Sequence, residues 1–203
     1  MRSIYLLVIA TICFLPSAHA SDWSWHYNRL NQSQIPPDGS HDFVRVLFVK
    51  DGWGRGFLYS VELAQTTVYG SGPGPVEAET VMSLRASRPD GHELVDGKAN
   101  RFSTLHYSAT ATLADWQIIA EKAAALDIPP GEQTGFCRDC FRMRIDFTVD
   151  GVYQARHYRL RSEDLEEARA LALSLLEISS QHIADVQPWR ENVEASLLPA
   201  ETE

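Results

Sequence analysis

Apolar and polar residues alternate with period two along several stretches of this chain and with period 3.6 along two others. Val44, Val46 and Phe48 alternate on one run, and Phe57, Tyr59, Val61 and Leu63 on the next. This pattern predicts a hairpin whose strands have one face on a core and one face wet. Thr80 to Ala86 reads as a strand, Ser87-Arg88-Pro89-Asp90-Gly91 as a turn, and residues 92–101 as polar and undefined. Leu105, Tyr107 and Ala109 alternate as another strand. The clearest strand has Phe141, Met143, Ile145, Phe147 and Val149 on one face and Arg142, Arg144, Asp146 and Thr148 on the other. Asp150-Gly151 is a two-residue hairpin signal, so residues 152–160 return beside it.

Two helices interrupt the strands. Thr112 caps the first, with Asp115 in its first turn and a stripe of Leu113, Trp116, Ile119, Ala120 and Ala123. Pro129-Pro130-Gly131 stops it. Ser162 caps the second, which opens on Glu163, Asp164, Glu166 and Glu167 and buries Leu165, Ala168, Ala172, Leu175 and Leu176. The order is hairpin, two strands, helix, hairpin, helix. It predicts a two-layer α+β fold: an antiparallel sheet of about 5–6 strands with two α-helices packed on one face. Residues 41–187 form this single domain. Residues 188–203 read as a frayed acidic tail. Residues 21–40 read as a lead-in. Its Trp23, Trp25 and Tyr27 alternate as a short docked strand, stand out as an aromatic arm that binds something, or are loosely ordered, before Ile35-Pro36-Pro37-Asp38-Gly39 breaks regular structure.

The first 20 residues change the picture. Arg2 is followed by a 12-residue apolar run from Ile4 to Leu15 and by Ala18-His19-Ala20, the shape of a signal peptide cut before Ser21. The run is shorter than the ~20 residues a spanning helix needs. Ile12 stands before Cys13 where a lipoprotein signal wants a small residue. The mature chain is therefore expected to be exported, periplasmic or secreted, with no stable membrane insertion. The net charge of −9, with 27 acidic and 18 basic residues, argues against sequence-independent nucleic-acid binding. Asn31-Gln32-Ser33 fits a glycosylation acceptor, relevant in a eukaryotic secretory route.

Export also decides how Cys137 and Cys140 read. Phe141 follows the pair where haem attachment needs His. A strand follows where a thioredoxin-type pair needs a helix N-terminus. A zinc site needs further ligands, and the histidines show no paired ligand spacing. A local disulfide in an oxidising compartment is the reading carried forward, with redox and metal handling as alternatives.

Residues 138–161 hold six arginines, Arg138, Arg142, Arg144, Arg156, Arg159 and Arg161, against Asp139, Asp146 and Asp150. A two-residue turn places Arg142 opposite Arg159 and Arg144 opposite His157, and like charges across a ladder destabilise it. The counter-charge comes from Glu163, Asp164, Glu166, Glu167 or a neighbouring strand, or from an anionic ligand or acidic partner. A second candidate surface is the loop Asp51-Gly52-Trp53-Gly54-Arg55-Gly56, where Trp53 and Arg55 are residue types that anchor interfaces. The Gly/Pro loop from Tyr69 to Pro75 lacks the Gly-Lys-Ser/Thr of a phosphate cradle.

The chain carries no Gly-x-Ser-x-Gly elbow, His-Glu-x-x-His, Walker loop or dinucleotide fingerprint, and no cofactor is expected. The sequence thus points to an exported, non-catalytic binding domain for a protein partner or a small anionic ligand. The alternatives are an enzyme whose site assembles only in space, a thiol-redox or metal-handling protein, and a protease-inhibitor-like protein.

Overall fold

The structure is a computed structural model and describes residues 20–33, 42–50, 56–69, 78–95, 98–126, 141–149, 151–159 and 166–197. Its strands are β1 (Phe43–Lys50), β2 (Phe57–Tyr69), β3 (Ala78–Val95), β4 (Lys98–Ala111), β5 (Phe141–Val149) and β6 (Val152–Arg159). They form one six-stranded antiparallel sheet in the order β4-β3-β2-β1-β5-β6. The helices are α1 (Ala20–Arg29), α2 (Leu113–Ala124), α3 (Glu166–His182) and α4 (Gln187–Leu197). The fold is α+β, as the patterning predicts.

The helical layer holds α2, α3 and α4 rather than two helices. Val44, Val46, Phe48, Val61, Leu63, Leu84, Ile145 and Phe147 meet Trp116, Ile119, Leu171, Leu175 and Leu176 in one core. Thr112 caps α2 as expected, in a full capping box with Asp115. Leu113, assigned to the buried stripe, is instead exposed. The expected frayed tail is corrected over residues 187–197, which form α4. Trp189, Val193 and Leu197 are buried, and Trp189 stacks on Tyr59 at 4.9 Å. These residues recur every four positions, one face of a helix, and Pro188 sits in the first turn where its missing N–H costs nothing.

The lead-in is the second correction. Trp23, Trp25 and Tyr27 lie on a helix, not a strand or an arm. α1 covers the sheet face opposite the other helices, burying Trp23, Tyr27 and Leu30 against Leu47, Val49 and Leu58. β1 is consequently buried on both faces from Phe43 to Val49 rather than wet on one. The third correction concerns Ser87–Gly91, which continues β3 instead of turning. β2 pairs with β3 only as far as Ser87, so Pro89 owes no N–H on that side. β4 follows β3 alone beyond there, through a register shift between Pro89 and His92. Residues 92–95 and 98–101 are accordingly strand.

Candidate functional site

The face of the sheet under α1 carries the polar chemistry, because alternate residues of each strand must point there once their neighbours face the core. Strand register lines Asp146, Arg45, Glu62, Arg85 and Ser108 across β5, β1, β2, β3 and β4. The charges alternate along this row.

At one end the row is closed and buried. The Asp146 carboxylate is fully buried and takes hydrogen bonds from four donors. Oδ2 accepts from the Tyr27 hydroxyl and from Arg45 Nη2 at 3.2 Å. Oδ1 accepts from Arg144 Nε at 2.8 Å and from the Tyr153 hydroxyl at 3.1 Å. A buried carboxylate needs such partners to offset lost hydration. Burial, and then the Asp146 charge, push the Tyr27 and Tyr153 phenols above their ordinary range, so both remain donors. Arg45 also stacks over Tyr27 at 4.6 Å, donates from Nη1 to the Ser33 carbonyl at 3.0 Å, and lies 3.7 Å from Glu62 Oε2.

The register expected for the arginine hairpin is the one found, Arg142 opposite Arg159 and Arg144 opposite His157. The counter-charge for Arg144 comes from Asp146, two residues along the same strand. Arg144 is buried, with Nη1 3.4 Å from His157 Nε2 and Nη2 3.4 Å from the Tyr153 hydroxyl. Arg142 sets Nη2 3.3 Å from His26 Nε2 and lies over Trp23. His157 is exposed and meets the edge of Trp23. The side chain of Arg159 lies outside the described residues, as do Trp53, Arg55, Cys137 and Cys140. Arg142, Arg144 and His157 are thus brought together, and α1 sits on them.

At the other end the row opens into a cleft of about 410 Å³, walled by Asn31–Ser33 on one side and β1 to β4 on the other. Its size falls in the range of small-molecule sites. Arg85 is exposed there and makes no hydrogen bond or ion pair among the described residues. Beside it runs a relay. Gln32 Nε2 donates to Ser87 Oγ at 3.3 Å, and Ser87 Oγ lies 2.9 Å from His106 Nδ1. With Gln32 as its donor, the Ser87 hydroxyl can give its own proton to Nδ1, leaving the His106 Nε2–H as a donor.

Ser87 is buried at 2% exposure and its oxygen is already engaged, and no carboxylate reaches His106 among the described residues. This pair has the wrong access and lacks the third member of a nucleophilic triad. No group of three or more metal-ligating side chains occurs among the described residues, and no described helix is long and apolar enough to cross a membrane.

Pattern reading does not single out Arg45, Glu62, Arg85, Ser87 or His106, and it places Tyr27 only in the aromatic lead-in. The available signal was Arg45, a charge set inside the otherwise apolar run Phe43 to Val49, where a charge needs a partner. No protein-family model matches the chain, and no curated protein matches it at a significant level.

Proposed function

We propose that this chain is an exported, non-catalytic binding domain whose ligand is a small anion seated in the cleft against Arg85. The observation that carries the reading is the contrast between arginines on one sheet face. Arg45 and Arg144 are committed to Asp146, whereas Arg85 stands exposed in a cleft with no partner among the described residues. A guanidinium presents a planar fork of donors suited to carboxylate or phosphate. His106 and Ser108 add donors beside it.

The export reading rests on the leader-like first 20 residues, and the disulfide reading on the spacing of Cys137 and Cys140 within an exported chain. Both are checked by the intact mass of protein recovered from its own compartment. We expect a chain beginning at Ser21 and lighter by two hydrogens than its reduced form. A full-length mass, or two thiols open to alkylation, contradicts them.

Thermal unfolding in the presence of acetate, citrate or inorganic phosphate, against chloride at matched ionic strength, tests the cleft. A ligand that binds only the folded state raises Tm by about 2–4 °C per kcal/mol of binding stabilisation. We expect such a rise in the natural chain and in Arg142→Gln, and none in Arg85→Gln. A rise that survives Arg85→Gln contradicts the assignment.

A further inference from the structure

We infer that the ligand class is the amino-carboxylates, free amino acids or the like, held between Arg85 and Glu62. The inference rests on the anion-binding reading of the cleft and adds a second contact to it.

Glu62 and Arg85 are direct partners on adjacent antiparallel strands. Opposed residues of this kind have Cα atoms about 4.5–5.5 Å apart, within easy reach of a salt bridge between two long side chains. No ion pair joins them among the described residues, although both line the cleft. Glu62 is instead only loosely met by Arg45, at 3.7 Å, because that guanidinium is already shared between Asp146 and the Ser33 carbonyl. The row therefore ends in a carboxylate and a guanidinium that face one space without closing on each other.

A plain anion can bind on Arg85, but it sits beside the Glu62 carboxylate, whose charge weakens it. A ligand with an ammonium next to its carboxylate turns that repulsion into a second contact. The carboxylate lies on the Arg85 fork and the His106 Nε2–H, and the ammonium donates to Glu62. Both charges of the ligand then continue the alternation of the row. The sign of the Glu62 contribution separates the two ligand types.

The test is calorimetric titration of the natural chain, Arg85→Gln and Glu62→Gln with each amino acid and its deaminated counterpart, alanine against propionate and phenylalanine against 3-phenylpropionate. Circular dichroism and a melting curve establish that each variant is folded. We expect at least one amino acid to bind tighter than its counterpart, and to weaken about tenfold or more in either variant, since a hydrogen bond to a charged group carries that much. Counterparts that bind as well as the amino acids, and tighten in Glu62→Gln, overturn the inference while leaving the anion site in place. Absence of any binding sensitive to Arg85 overturns both.

Discussion

Asp146 decides the polar architecture of the α1 face. It is the acceptor on which two phenols and two guanidiniums converge; Tyr27, Arg45 and Arg144 are buried, whereas the Tyr153 ring is partly open to water. Tyr27→Phe removes one donor while leaving the ring in place. We expect a loss of about 1–3 kcal/mol in urea unfolding, the cost of a buried acceptor left short. Asp146→Asn leaves two buried arginines without their main counter-charge, and about 3–5 kcal/mol should be lost. Equal stability of either variant with the natural chain would show that the network is ornamental. Arg85 belongs to the same face and is exposed, so its substitution should leave unfolding nearly unchanged and alter ligand binding alone.

α1 shows how a short aromatic stretch misleads. Trp23, Trp25 and Tyr27 fit a period of two, but Trp23, His26, Tyr27 and Leu30 fit a helical face, and these four are the buried ones. Trp25 is left 50% exposed and stacks with Arg29. Three positions cannot separate the two periods; the apolar Leu30 one turn further on can. The helix ends in a Schellman arrangement, with Gln32 N–H donating to the Tyr27 carbonyl at 3.0 Å and Asn31 N–H to that of Asn28 at 3.1 Å. Asn31 takes a φ of 49°, the left-handed region that glycine adopts without cost. Asn31→Gly should therefore raise the urea midpoint slightly, by about 0.5–1 kcal/mol of stability, and a clear loss would contradict the cap. α4 was legible in principle, since Trp189, Val193 and Leu197 keep helical spacing. Both hairpin pairings are legible, and the nine-residue alternation of β5 leaves little freedom of register, whereas β1 loses its expected wet face to α1.

Among the described residues the sheet carries three helices around one core on one face, and on the other a single helix over the closed end of a charged row. The strand alternation revealed the first layer. The second was hidden because the cleft and its row depend on which strands lie side by side. Arg45, Glu62 and Arg85 are far apart in sequence and become neighbours only through the order β1-β2-β3. The buried phenols give the fold an alkaline limit. Burial, opposed by Arg156 and aided by Glu167, pushes Tyr158 up to about 12, and Tyr27 and Tyr153 are raised in the same direction. An unfolded tyrosine ionises near 10, so these groups contribute stability below about pH 10 that is lost as the pH climbs toward about 12. The urea midpoint should fall between about pH 10 and 12, and less steeply in Tyr158→Phe. A flat profile would contradict the burial of Tyr27 and Tyr158.

The arginine side-chain resonances of the mature chain report most directly on where ligand binds. Nitrogen-15 spectra recorded during titration with an amino acid and with acetate should show the Arg85 Nε–H signal moving and sharpening. The signals of Arg142 and Arg144 should stay in place. Movement confined to Arg142 and its neighbours, with Arg85 unmoved at saturating ligand, would place recognition on the β5–β6 hairpin and contradict the account of the cleft.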